Sequence, residues 1–239
     1  MTQLLFREDP YLRDAAARVT GHTPEGGVIL DRTVFYPTGG GQPGDSGVLA
    51  WDRLEMTIAT TVKGEADDVV LVPSEPVPLP AVGTYVTQHL DWERRHRHMR
   101  VHTALHLLSV VIPLPVTGGA ITSEKGRLDF DMPESPANHD VIEEALQLLI
   151  ERDLPVSETW VTDAVLDATP ELVKTMSVKP PRGQGRVRLV RIGKGGDQVD
   201  LQPCGGTHVA RTGEIGALRL GKIEKKGRQN RRVNVILDS

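Results

Sequence analysis

Cysteine, aromatic residues and net positive charge are all scarce in this sequence, and each shortage narrows what the protein can be. One cysteine, Cys204, excludes an intrachain disulfide and fits a reducing compartment. Three Phe, three Trp and three Tyr in 239 residues leave the core to Leu, Val, Ile and Ala. With 38% apolar and 25% charged residues the chain still has the composition of an ordered globular protein. Lys plus Arg number 28 against 32 Asp plus Glu, a net charge of −4, so bulk charge does not hold the chain to nucleic acid and any such contact must be local. Long hydrophobic runs are missing too. The most apolar stretch, Leu105 to Val116, is broken by His106, Pro113 and Pro115 and falls short of the ~20 residues a bilayer requires. The first ten residues, MTQLLFREDP, have neither the basic start nor the apolar run of a signal peptide, which sets the expectation of a cytoplasmic protein.

What is present divides the chain in two. Up to residue 88 there are 6 basic and 12 acidic residues, and after it 22 against 20. The first part alternates turn signals (Gly26-Gly27, Gly39 to Gly41, Pro43-Gly44, Gly64) with short β-prone runs at Gly27 to Leu30, Leu54 to Val62 and Val69 to Val72, which predicts a small all-β domain. A proline-rich stretch, Pro73 to Pro80, and a last strand, Thr84 to Leu90, put its boundary near residue 90. The expected domains are therefore 1–90 and 91–239. Asp91 is placed to cap a helix from Trp92 to about Val111, which Pro113 must end. Apolar positions 141, 142, 145, 146, 149 and 150 predict a second helix over Asn138 to Arg152, and a third, shorter one is expected near Thr169-Pro170. Strands are expected at Leu128 to Asp131, Glu158 to Thr162, Val187 to Ile192, Gly216 to Glu224 and Arg232 to Leu237, an α+β arrangement.

Two clusters carry metal chemistry. His98, His102 and His106 recur every four residues on the first helix, so all three project from one face; the spacing alone does not choose between the pairs. In Cys204-Gly205-Gly206-Thr207-His208 the lone cysteine precedes a histidine by four, with two glycines that let the backbone turn tightly enough for thiolate and imidazole to converge. Two His from a helix with Cys and His from a loop form a donor set of borderline softness suited to Zn2+. Four such ligands close the shell, whereas three leave an opening at which a metal could activate water, with His208 a loose ligand or a proton acceptor. The run Gly39-Gly40-Gly41-Gln42 can bring backbone N–H groups close to a ligand, and Gln42 could orient a water. Basic residues cluster at Arg94, Arg95, Arg97 and Arg100, from Lys179 to Lys194, and from Lys222 to Arg232, where phosphates could bind. Gly216 to Lys222 fits G-x-x-x-x-G-K, yet Ile223 stands where a Mg-binding hydroxyl is required, so no nucleotide cofactor is assigned. A zinc peptidase is disfavoured because no Glu follows the first zinc histidine in the H-E-x-x-H manner.

HTALHLL at 102–108 and CGGTHV at 204–209 resemble the HxxxH and CxxxH motifs of the alanyl-tRNA editing domain, whose free-standing form is the AlaX family. FYPTGGGQPGDSG at 35–47, RLDFD at 127–131 and DWERRHRHMRVHTALH at 91–106 are similar to that family's glycine-rich signature, mid-domain strand and helix entry. The resemblance implies a small N-terminal β-barrel followed by a two-layer α+β editing domain of the threonyl/alanyl-tRNA synthetase second-additional-domain type. It implies zinc at His102, His106, Cys204 and His208, and leaves His98 outside the motif. It further implies a deacylase acting in trans on mischarged tRNA(Ala), chiefly Ser-tRNA(Ala) with Gly-tRNA(Ala) as a second candidate substrate, and with Thr38 telling serine from alanine. Such an enzyme answers a physical need, since a pocket built for alanine penalises one added hydroxyl only weakly. The expected contacts to substrate and tRNA are Gly39, Gly40, Gly41, Arg94, Arg95, Arg127, Lys225 and Lys226, in a monomer. The competing expectation is a binding module for the tRNA acceptor end whose zinc is purely structural.

Overall fold

The computed structural model describes residues 1–136, 138–174 and 185–238. The chain divides into two compact units, Met1–Arg97 and His98–Ser239. In the first unit a two-residue strand β1 (Gln3–Leu4) pairs with β4 (Arg32–Thr33), and a single turn α1 (Leu5–Glu8) follows β1. Strands β2 (Asp14–His22), β3 (Val28–Leu30), β5 (Gly47–Trp51), β6 (Leu54–Lys63), β7 (Val69–Pro73) and β8 (Tyr85–Leu90) close a barrel in the order β2-β3-β7-β6-β5-β8. Every pairing in it is antiparallel, so closure removes the exposed edges an open sheet of this size would present. Alternation fills the interior: Val19, Leu30, Leu49, Ile58, Leu71 and Val86 point inward from successive strands around Phe35. Two glycines are steric necessities. A Cβ at Gly44 would sit 2.0 Å from the Thr61 carbonyl oxygen, and one at Gly47 2.2 Å from that of His89.

Helix α2 (Trp92–Val111) starts where expected, its first turn held by the Asp91 carboxylate, which accepts the Arg94 N–H at 3.2 Å. In the second unit β9 (Val116–Ile121) and β10 (Lys125–Asp131) join β14 (Leu218–Lys225) and β15 (Asn230–Leu237) in an antiparallel sheet ordered β14-β15-β10-β9. Gly126 lets β10 lie against α2, because a Cβ there would meet Val101 at 2.6 Å and Leu105 at 3.1 Å. Helix α3 (His139–Glu151) is capped by Asn138 and buries Ile142, Leu146 and Ile150, the stripe its periodicity predicts. A second sheet is ordered β11-β12-β13, from β11 (Val156–Thr162), β12 (Arg186–Ile192) and β13 (Asp200–Pro203).

The third helix departs from expectation. Helix α4 occupies Asp163–Ala168, because the Thr162 hydroxyl accepts the Val165 N–H and starts it directly from β11; Pro170 to Leu172 forms only a 3-10 turn. Among the described residues six strands that the sequence did not single out, β1, β2, β4, β5, β9 and β13, are alanine-, glycine- or proline-containing or very short, and cross-strand pairing outweighs their weak propensity. No helix among the described residues is long and apolar enough to cross a membrane.

Candidate functional site

His102 and His106 lie one turn apart on α2 and so share a face. The chain leaves β13 at Pro203 and turns at once through Cys204 to His208, bringing both donors of that loop against the same helix face. The ligating atoms of His102, His106, Cys204 and His208 all lie within 4.8 Å of one another, in buried or half-buried positions. Cys204 Sγ is 3.5 Å from His102 Nε2 and 3.3 Å from His208 Nε2. The loop is braced from β12, where Arg188 Nη1 donates to the carbonyls of Cys204 at 2.8 Å and Gly206 at 2.9 Å while Nη2 pairs with Glu158. His98, one turn earlier on α2, is buried and is not one of the four.

The outward nitrogens of two imidazoles are engaged. Thr103 Oγ1 donates to the Met99 carbonyl at 2.8 Å, so towards His208 Nδ1, at 3.2 Å, it can only accept. His208 therefore carries its proton on Nδ1 and turns the Nε2 lone pair to the cluster. His106 Nδ1 lies 2.9 Å from Asp200 Oδ2 on β13, in contact also with Gln202. Burial works against the thiolate of Cys204, but the adjoining His102 and His208 rings overcome it and hold the thiol well below its ordinary range. Burial pushes His208 down to about 3. For His106, burial is outweighed by hydrogen bonds to Asp200 and Cys204, and the ring is raised to about 9. A thiolate with three convergent imidazoles, two with fixed outward protons, is a donor set that fits a tetrahedral, borderline-soft ion.

The glycine-rich loop belongs to the barrel unit. Gly40 and Gly41 have φ of 57° and 83°, left-handed values that glycine adopts without strain, and Gly39 and Gln42 form an isolated backbone bridge across the turn. Thr38 Oγ1 accepts the Gly44 N–H at 2.8 Å and donates to the Thr61 carbonyl at 3.2 Å, tying the loop's two ends to β6. The residue itself is exposed. Gln42 is buried, at 1% exposure.

Profile comparison matches residues 187–234 to the threonyl and alanyl tRNA synthetase second additional domain and residues 12–94 to the class II (A) tRNA synthetases. The chain is 32% identical over 247 residues to the alanyl-tRNA editing protein AlaX-M of Methanosarcina acetivorans, covering 99% of both. This chain belongs to the AlaX family of alanyl-tRNA editing proteins. It is also 34% identical over 241 residues to AlaX-L of Pyrococcus horikoshii, of which it spans 56%, and 34% identical over 232 residues to the alanine–tRNA ligase of Caldivirga maquilingensis, of which it spans 25%. The match to AlaX proteins thus runs through the barrel as well as the second unit, and both the glycine-rich loop and the histidine–cysteine cluster lie within it.

The basic residues of this AlaX chain divide by environment. Arg95 is a correction to expectation: it is wholly buried, its guanidinium bonded to Asp45 and to the carbonyls of Pro10 and Val34, so it offers no donor to a phosphate. Arg94 spends one nitrogen on the Gly44 carbonyl at 3.0 Å. Arg127 pairs with Asp129 beside Arg232. Lys225 and Lys226 are exposed at the tip of the β14–β15 hairpin, Lys226 2.7 Å from Glu224. Of the basic run from 179 to 194, positions 179 to 184 lie outside the described residues. Thr103, Asp200 and Gln202, which touch the cluster's outer side, escaped sequence reasoning. Spacing was the available signal for the last two: they stand four and two residues before Cys204, on the same side of a strand.

Proposed function

We propose that this chain hydrolyses, in trans, the aminoacyl ester of tRNA(Ala) mischarged with serine. Supporting this reading is one observation above the rest: the four residues of the family's HxxxH and CxxxH motifs converge within 4.8 Å in a chain that matches AlaX-M from end to end. The ion assigned to them is Zn2+, with His102, His106, Cys204 and His208 as ligands in a closed shell. So held, it supplies folding free energy and a fixed positive charge. His208 enters as ligand rather than base, since its Nδ1 proton is engaged by Thr103 and its Nε2 faces the cluster 3.3 Å from Cys204 Sγ.

In the reaction a water oxygen bonds to the ester carbonyl carbon, the carbon–oxygen bond to the terminal ribose breaks, and the ribose oxygen takes the proton. The backbone N–H groups of Gly39 to Gly41 are assigned to the ester or ribose oxygens. Thr38 is assigned to the serine hydroxyl: its oxygen already serves the Gly44 N–H and Thr61, and a serine side chain would add a further partner that alanine cannot match. Segments 1–90 and 91–239 are the proposed barrel and editing domains. The protein is proposed to work in the cytoplasm as a monomer.

The test follows labelled serine released from Ser-tRNA(Ala) by the purified, metal-loaded protein, with Ala-tRNA(Ala) in parallel. Serine release at least tenfold faster than alanine release is expected. Binding of tRNA with no release from either would overturn the deacylase reading and leave the acceptor-end binding module.

A further inference from the structure

We infer that Asp200 is a positioning residue for the candidate metal centre, fixing the tautomer and orientation of His106 through a closed hydrogen-bond circuit with Gln202, Ser109 and Lys174. The inference rests on the reading of the histidine–cysteine quartet as a metal site and is independent of whether the protein deacylates tRNA.

The circuit has one consistent assignment of protons. Ser109 Oγ donates to the His106 carbonyl at 2.8 Å, so from Gln202 Nε2, at 3.2 Å, it accepts. The second Gln202 N–H goes to Asp200 Oδ2 at 2.8 Å. The same oxygen lies 2.9 Å from His106 Nδ1. Gln202 Nε2 and His106 Nδ1 are 3.1 Å apart, and with both amide protons already placed His106 Nδ1 must carry a proton and donate it to Asp200. The remaining carboxylate oxygen, Oδ1, receives Lys174 Nζ at 2.6 Å. Asp200 is 3% exposed and Gln202 7%, and the lysine compensates a charge that burial alone would make costly. His106 is then left with Nε2, and only that atom, to offer the cluster.

Local structure explains how three groups reach one ring. Asp200, Gln202 and Cys204 are spaced by two, so β13 and its immediate continuation put carboxylate, amide and thiolate on one side. Ser109 lies three residues past His106 on α2 and so on the same face. One strand and the residue that follows it thus supply both a ligand and the brace for a ligand on another element, whereas among the described residues His208 has only the neutral hydroxyl of Thr103 behind it. A carboxylate behind a metal-bound imidazole both orients the ring and makes it a stronger donor.

The experiment measures Zn2+ affinity by competition with a chromophoric chelator, and the visible absorption of the Co2+-substituted protein, for wild type, Asp200→Asn and Lys174→Met. Asp200→Asn is expected to weaken Zn2+ binding by about 10–100-fold and to alter the Co2+ absorption, with circular dichroism of the metal-free protein unchanged. Lys174→Met, at a partly exposed position, should act in the same direction by a smaller factor. Affinity within twofold of wild type for Asp200→Asn, with an unaltered Co2+ spectrum, would overturn the inference. If Asp200→Asn does not fold, Lys174→Met decides: a weaker affinity sustains the inference and an unchanged one sinks it. Wild-type protein that binds Zn2+ and shows the Asp200 effect yet releases no serine would remove the deacylase reading and leave the positioning role intact.

Discussion

Thr38 shows how a single side chain can hold a loop and still be a candidate for selectivity. Its hydroxyl closes the glycine-rich loop through Gly44 and Thr61, so replacing it by Val removes two hydrogen bonds as well as any partner for a serine hydroxyl. Thr38→Val is expected to cost about 1–2 kcal/mol in urea unfolding and to reduce the ratio of serine to alanine release by at least fivefold. Thr38→Ser, which keeps the hydroxyl, should restore both. An unchanged ratio in Thr38→Val would remove Thr38 from substrate selection and leave it a loop clasp. At this scale spacing offered His98, His102 and His106 beside Cys204 and His208, and the family resemblance chose among the three the pair that converges with the loop. Environment was not. Arg94 and Arg95 are neighbours in the sequence, yet one is half-buried against Gly44 and the other is sealed beside Asp45; nothing in the order of four nearby arginines says which one turns inward.

At the scale of elements, capping and periodicity carried most of what could be read. Asp91, Asn138 and the 141–150 stripe placed α2 and α3 within a residue or so, since a helix announces itself through local chemistry. Strands such as β9, whose VTGGAI holds two glycines of weak strand propensity, exist because β10 supplies the partner, and that partner is remote information. The β14–β15 hairpin is where phosphate binding can be tested at an element. Lys225→Glu with Lys226→Glu leaves the ladder intact, because both side chains are exposed. Binding of tRNA should weaken, and the slope of log affinity against log salt should fall by about one for each lost contact. A slope equal to that of wild type would show that the hairpin is a solvated surface.

For the molecule as a whole, the α+β class and an all-β first part followed from turn density and strand-prone runs, and closure into a barrel was implied by the family resemblance, while the order β2-β3-β7-β6-β5-β8 and the division of the second unit into two sheets depend on long-range pairing. Acid stability is set partly within the four-stranded sheet. Burial disfavours the Asp129 carboxylate, but Arg232 and Arg127 outweigh it and hold its pKa below the usual value. A folded-state pKa below the unfolded one means the stabilisation is complete above the ordinary carboxylate value of about 3.9 and is lost as pH falls through the folded value. Unfolding midpoints measured from pH 7 to pH 2 should therefore fall for wild type in the acid range and fall less steeply for Asp129→Asn. Parallel curves would show that the pair contributes nothing to acid denaturation.

The two-residue spacing of Asp200, Gln202 and Cys204 has a consequence for inherited length variation. A point substitution at the intervening Leu201 leaves the phase of the strand unchanged, whereas inserting or deleting one residue anywhere between 200 and 204 would turn carboxylate and thiolate to opposite sides. This five-residue stretch is thus a reading frame of its own, forgiving of changed letters and intolerant of a changed count. Length differences should collect instead in the turn that precedes it, where Gly195 and Gly196 have open space around them.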